Sequence, residues 1–246
     1  MKTKVSITID EDLLKQIEEL AKKQGINRSL YMEKLIMQHT REVPVIILAT
    51  DAKVNGKDKA LCNFKEKKLI EHQLYYLKNE GFTEIFVSTD SLDLKKYLEK
   101  EQREVKIFFE KQKIGSGGSI AEHAEKIGRR FIFMYCDELY ELNLQELVKF
   151  HIRNKAGLTL VLQSAAKPSQ YGVAVLEGSS VLRFEEKPGK AASHLIFTGL
   201  GIIDLAIARK LKKGKLELQL NEIENKYGYL YEGFWKTFDE EKDFKS

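Results

Sequence analysis

Near the N-terminus, Lys4-Val5-Ser6-Ile7-Thr8-Ile9 alternates strictly. Val5, Ile7 and Ile9 share one face and Lys4, Ser6 and Thr8 the other, the two-residue period of a half-buried β-strand. The period then lengthens. Asp10 predicts a helix N-cap, Glu11 and Asp12 suit a first turn, and Leu13, Leu14, Ile17, Leu20 and Ala21 form one apolar stripe at helical spacing. Gly25 ends that helix, and Asn27 caps a second one carrying Leu30, Tyr31, Leu35 and Ile36.

Beyond Pro44 the pattern changes. Val45-Ile-Ile-Leu-Ala49 is a continuous apolar run, suited to a strand buried on both faces. A polar loop over 50–59 follows, then an amphipathic helix with Leu69, Ile70, Leu74, Tyr75 and Leu77, stopped by Gly81. Residues 85–89, 105–109, 131–135 and 158–162 read as strands; 92–98, 120–127 and 144–150 read as helices. This alternation predicts an α/β domain with a mostly parallel sheet covered on both faces, and such sheets bind ligands at the carboxyl ends of their strands. The expected domains are therefore 1–41 and 44–246, with a short joint and neither an internal repeat nor a low-complexity linker.

Composition sharpens this picture. Of 246 residues, 43% are hydrophobic, enough for a core and against a disordered chain. The longest apolar run, Val43 to Ala49, falls far short of the roughly 20 residues of a membrane span, and the opening Met1-Lys-Thr-Lys-Val-Ser lacks the apolar stretch of a signal peptide. Cys62 and Cys136 form neither a disulfide framework nor a metal-ligand spacing. A cytoplasmic protein without a membrane partner is expected. The net charge of +4 does not by itself announce a nucleic-acid binder. Residues 1–41, with eight Lys/Arg against six Asp/Glu, hold half of that excess in a sixth of the length. The five histidines lack ligand spacing and read as surface or packing residues.

About 40 residues cannot easily bury a strand and two amphipathic helices alone. A homodimer, or a higher homo-oligomer, solves this by pairing two strands antiparallel over four interlaced helices. The strand, the Asp10-capped helix and the turn Gly25-Ile26-Asn27-Arg28-Ser29 resemble the ribbon-helix-helix family of DNA-binding proteins, the MetJ/Arc class. In that family a two-stranded ribbon enters the major groove. The resemblance places Lys4, Ser6 and Thr8 at base edges, and Asn27, Arg28 and Ser29 at a phosphate through backbone N–H groups and the helix dipole. The alternative reading of the same residues is a dimerisation arm with an ordinary solvated face.

In the larger part, Phe131-Ile-Phe-Met-Tyr-Cys-Asp137 sets a carboxylate at the end of a buried strand. It reads equally as a Mg²⁺ ligand for phosphoryl chemistry or as a cap for the next segment. Ile114-Gly-Ser-Gly-Gly118 before a helix reads as backbone that can approach a base or phosphate, or as a plain Gly-rich turn. Together with Lys68-Leu-Ile-Glu-His-Gln-Leu74, Tyr171-Gly-Val173, Phe184-Glu-Glu-Lys-Pro188, Thr198-Gly199 and Gly233-Phe-Trp235, these stretches resemble sugar-phosphate nucleotidyltransferases of Rossmann-like, glycosyltransferase-A-like fold. Those enzymes join a nucleoside triphosphate to a sugar 1-phosphate and release pyrophosphate. The resemblance implies Mg²⁺ as cofactor on Asp137, catalytic Lys59 and Lys187, nucleotide contacts at Ala49, Gly115 and Ser116, and sugar-phosphate contacts at Gly172, Lys187 and Thr198.

The chain departs from that family at decisive places. A long loop of pattern Gly-Gly-x-Gly-Thr-Arg is replaced by the shorter Ala49-Thr-Asp-Ala-Lys-Val-Asn-Gly-Lys-Asp-Lys59. Thr50 and Asp51 stand for the paired glycines, and lysines (Lys53, Lys57) without arginine's planar fork stand near the missing arginine. Thr237 occupies the position of the second metal carboxylate, with Asp239 two residues on, and Phe197 that of a sugar-contacting asparagine. The expectation is a dimeric DNA-binding regulator with a degenerate nucleotidyltransferase-like domain that either senses a nucleotide or sugar nucleotide or only mediates assembly. The alternative is an active sugar-1-phosphate nucleotidyltransferase with a dimerisation arm.

Overall fold

A computed structural model of the chain describes residues 6–33 and 43–245. They fall into two compact units, one within residues 1–42 and one within 43–246.

In the smaller unit, helix α1 spans Glu11–Lys23. Asp10 caps it as expected, one carboxylate oxygen accepting from the backbone N–H of Asp12 (3.0 Å) and Leu13 (3.2 Å). The helix closes in a Schellman arrangement: Ile26 N–H donates to Ala21 O (3.1 Å) and Gly25 N–H to Lys22 O (3.0 Å). Asn27 Oδ1 accepts from Leu30 N–H (2.8 Å) at the start of a second helical segment, residues 28–33. Ile17, Ala21 and Tyr31 form a small core. Lys4, Val5, Leu35 and Ile36 lie outside the described residues.

The strand expected over Lys4–Ile9 does not form in its described part: residues 6–10 carry no ladder. The reason is physical, since a ribbon strand needs a second backbone to bond with, and a single chain of this unit offers none. Ile7, Leu13, Leu20 and Leu30 accordingly stand exposed in the single chain, apolar surface that so short a unit cannot cover by itself.

The larger unit is built on a mixed nine-stranded sheet. In chain order the strands are β1 Val45–Ala49, β2 Lys53–Val54, β3 Lys57–Asp58, β4 Asn63–Phe64, β5 Lys67–Lys68, β6 Ile85–Thr89, β7 Lys106–Phe109, β8 Arg130–Tyr135, β9 Glu138–Tyr140, β10 Leu158–Ser164, β11 Gly172–Glu177, β12 Ser180–Glu186, β13 Leu195–Asp204, β14 Lys226–Leu230 and β15 Trp235–Thr237. Strands β7, β6, β1 and β8 lie side by side and parallel, with Val45 opposite both Ile85 and Ile132. Beyond β8 the sheet is mixed, because β13 runs antiparallel to β8 and carries β11 and β10 on its other edge. Four later strands, β11 to β14, complete a half of the sheet that the alternation of the first half does not announce.

The central strands β1 and β6 bury both faces. Val45, Ile47 and Ala49 of β1 enter one core cluster with Ile70, Leu74 and Leu98; Ile46 and Leu48 enter the other with Ile120, Ala124 and Phe133. Helices α2 (Leu69–Asn79), α3 (Leu92–Glu101) and α5 (Leu144–Arg153) cover the first face, and α4 (Gly115–Ile127) the second. Helix α4 starts five residues earlier than the apolar pattern suggests, so the glycine-rich stretch is its first turns and not a loop before it. No helix among the described residues is long and apolar enough to cross a membrane.

Candidate active site

Strands β1 and β8 end side by side, and the chain leaves both at the same edge of the sheet. After Ala49, Asp51 adopts the left-handed conformation (φ 57°). The segment read as a polar loop then folds into the hairpin β2–β3 around Asn55-Gly56, both with positive φ (49° and 77°), the pairing that a two-residue hairpin turn demands. The hairpin returns the chain so that Lys59 N–H donates to Ala52 O (2.9 Å). Lys59 therefore sits under the end of β1 and is buried.

At the end of β8, Cys136 N–H donates to Leu48 O (3.1 Å), which sets Asp137 in the turn before β9. Buried Gln73 on α2 clamps this turn, its side-chain amide donating to Tyr135 O and Glu138 O, both at 2.8 Å. Within the stretch 68–74, Gln73 had no assigned role, although a glutamine inside the stripe Leu69, Ile70, Leu74, Leu77 is a signal in itself, because a buried amide needs partners. Strand β9 pairs antiparallel with β15, Glu138 opposite Thr237, and so brings the C-terminal segment to Asp137. Phe238 N–H donates to Asp137 O (2.9 Å).

These two routes converge on one ammonium group. Lys59 Nζ donates to Asp137 Oδ2 at 2.7 Å and to Asp239 Oδ1 at 3.2 Å. The lysine side chain is 10% exposed, Asp137 17% and Asp239 62%. Burial alone would lower the lysine's pKa, but Asp137 and then Asp239 outweigh it and hold it above the ordinary lysine value. Asp239, two residues beyond Thr237, thus reaches the ammonium beside Asp137. Next to it Glu138 is buried, Trp235 Nε1 donating to its Oε2 (2.6 Å), and burial, reinforced by Asp137, holds its carboxyl well above the usual range.

The cleft beside this cluster encloses about 320 Å³ and is lined by Asp51, Lys59, Gly115, Ser116, Tyr135 and Asp137, among others. Across its floor the Tyr135 hydroxyl donates to Glu217 Oε1 (2.6 Å) and lies 3.2 Å from Ser116 Oγ. Ser116 Oγ also accepts from Leu216 N–H (2.9 Å). Gly115 (φ 73°) lies so close to Gly214 that a Cβ would stand 2.5 Å from its carbonyl carbon. Gly117 N–H donates to Gly214 O (2.9 Å), as Gly118 N–H does more weakly (3.4 Å). The glycines thus serve a backbone-to-backbone approach, and two N–H groups at the start of α4 are satisfied within the protein. At the other wall Lys113 Nζ donates to Asp51 Oδ1, and Asp51 N–H to Asp90 Oδ1 (3.3 Å).

The structure brings Ala49, Lys59, Gly115, Ser116 and Asp137 to one strand-end region. It does not bring the sugar-phosphate residues into the same lining. Thr198 is buried, its hydroxyl donating to Val161 O (3.1 Å). Gly172 packs against Phe184, where a Cβ would lie 2.3 Å from the ring, and Lys187 N–H donates to Tyr171 O (3.1 Å). In the smaller unit Ser6, Thr8, Asn27, Arg28 and Ser29 are on the surface. Arg28 pairs there with Glu18 (2.8 Å).

A hard divalent ion takes oxygen ligands, and Asp137 with Asp239 offers two carboxylates. Among the described residues no group of three His, Cys, Asp or Glu is placed to hold a metal. The two carboxylates already share an ammonium. Lys59 stands in contact with both, so a cation bridging the pair would meet the ammonium there.

Comparison with known proteins gives two family matches. The model for nucleotidyl transferases matches residues 55–229, and that for ribbon-helix-helix proteins of the copG family matches residues 3–42. Among curated relatives, the mannose-1-phosphate guanylyltransferase catalytic subunit beta of Danio rerio is 27% identical over 205 residues, covering 76% of this chain and 56% of the relative. The mannose-1-phosphate guanyltransferase of Yarrowia lipolytica is 30% identical over 205 residues, covering 76% and 56%. The chain thus spans little more than half the length of these relatives. Among solved structures, HddC from Yersinia pseudotuberculosis superposes with a TM-score of 0.74 at 18% identity, covering 82% of this chain and 96% of that one. Its complex with GMP-PN gives 0.71 at the same identity and coverage. At that identity the likeness concerns the fold. The chain belongs to the nucleotidyl transferase family and carries a ribbon-helix-helix segment of the copG family ahead of that domain.

Proposed function

We propose that this protein is a dimeric DNA-binding regulator whose nucleotidyl transferase domain binds a nucleotide or sugar nucleotide and transfers it poorly or not at all. The observation that carries this reading is the internal matching of charge in the cleft. Asp51 stands, paired with Lys113, at the loop position where the resembled family keeps backbone open to phosphate, and Lys59 is held by Asp137 and Asp239. A triphosphate entering such a cleft meets a carboxylate at the loop and finds the buried cation already neutralised. Lost electrostatic stabilisation of this kind costs on the order of 3–4 kcal/mol per interaction in the transition state, while binding energy from the rest of the ligand survives.

DNA recognition rests on the ribbon-helix-helix segment. A second copy would pair with Lys4–Ile9, cover Ile7, Leu13, Leu20 and Leu30, and present Lys4, Ser6 and Thr8 to base edges. Footprinting of the full-length protein on the DNA upstream of its own coding region, with calorimetric titration of nucleoside triphosphates, tests both halves. Protection of a discrete site together with saturable nucleotide binding is expected. Absence of either removes that half of the proposal.

One observation favours a second reading. Asp239 reaches Lys59 beside Asp137 and so supplies the carboxylate that Thr237 lacks. On that reading the chain is a working nucleotidyltransferase, and its curated relatives suggest mannose 1-phosphate and a guanylyl donor as the first pair to try.

A further inference from the structure

The ion cluster at the end of β8 carries a consequence for cation binding. Lys59 is fixed from both sides: its N–H bonds to Ala52 O (2.9 Å) and its carbonyl accepts from Cys62 N–H (3.1 Å). Its side chain is nearly buried and ends between two carboxylates that come from distant parts of the chain. Asp239 is itself anchored, its N–H donating to Asp243 Oδ2 at 3.0 Å. An ammonium at 2.7 Å and 3.2 Å from the two carboxylate oxygens occupies the position from which a hard cation would bond to both. A divalent ion there would also stand against a like charge in a poorly solvated place.

We infer that Lys59 is the resident cation of this cleft and excludes divalent metal from the Asp137–Asp239 pair. The inference concerns the same cleft as the proposed function, but its test needs neither nucleotide nor DNA. Withdrawing the ammonium leaves the part-buried Asp137 facing the exposed Asp239, two carboxylates whose mutual repulsion a bound cation would relieve.

The test is a titration of the full-length protein with Mn²⁺, read by the loss of the free-ion paramagnetic resonance signal. Wild type is expected to show no saturable site at the cleft. Lys59→Met and Lys59→Gln should each gain one site, at least about tenfold tighter than any Mn²⁺ binding by wild type. Adding Asp239→Asn to Lys59→Met should abolish it. A wild-type site as tight as that of the variants, or folded variants that gain none, overturns the inference. A measurement on wild type alone covers the case in which the variants do not fold. The side-chain ¹⁵N resonance of the Lys59 ammonium should stay in place when Mg²⁺ is added, and its displacement by Mg²⁺ would likewise overturn the inference.

Discussion

Replacing Lys4 and Thr8 by alanine in the full-length chain is expected to weaken binding to the protein's specific DNA site by about 2–6 kcal/mol, two base contacts at about 1–3 kcal/mol each. The two positions lie four residues apart, an even spacing that places both on one face of an extended strand. Thr8 is exposed, so its loss should not unfold the smaller unit. A mutation at a base edge should act chiefly on the specific site and leave non-specific binding, which rests on phosphate contacts and falls steeply with salt, much less affected. Fluorescence anisotropy on specific and scrambled duplexes at two salt concentrations separates the two terms. Equal affinity of variant and wild type for the specific duplex would mean that residues 1–41 serve as a dimerisation arm.

The second large effect is expected at Asp51. Asp51→Gly should tighten nucleoside triphosphate binding by about tenfold to a hundredfold, or about 1.4–2.8 kcal/mol. The substitution removes a carboxylate from the cleft wall, where a like charge a few ångströms from a phosphate opposes binding by on the order of a few kcal/mol before screening. It also frees Lys113, which now pairs with Asp51, to meet the ligand. The backbone at φ 57° suits glycine better than aspartate, so the change relieves local strain. The ion pair it removes is surface-exposed, and such pairs contribute little. Calorimetry should therefore report tighter binding without a fall in thermal stability. Unchanged affinity would show that the phosphates do not lie near Asp51.

The first half of the sheet and the helices of both units were legible because their signals are local. Val45–Ala49 is a continuous apolar run, Asp10 is an N-cap and Gly25 follows a helix, and each behaves accordingly. The mixed half was not legible, because β11 and β12 form a local hairpin but join β13, β14 and β10 through pairings distant in sequence, without the strand-helix alternation that marks the parallel half. The strand at Lys4–Ile9 has the right pattern, yet pattern supplies no partner, and the single chain leaves its described part unpaired. At the cleft, Asp137 was legible as a carboxylate at the end of a buried strand and Lys59 only through a family resemblance. Their contact with Asp239 depends on three-dimensional events, namely the β2–β3 return that buries Lys59 and the β9–β15 pairing that carries residue 239 across. The Asn-Gly turn of that hairpin was readable from Asn55-Gly56 and went unread inside a polar stretch. The reach of the Tyr135 hydroxyl across the cleft to Glu217 depends on the same three-dimensional placement.

The cleft is proposed to hold a nucleotide and to transfer it poorly or not at all. The direct test is pyrophosphate release by the full-length protein in the presence of divalent metal, across a panel of nucleoside triphosphates paired with sugar 1-phosphates, at concentrations where calorimetry shows the nucleotide bound. Bound nucleotide with release at, or barely above, the protein-free rate is expected. Multiple turnovers with any pair, abolished by Asp137→Ala, would contradict it.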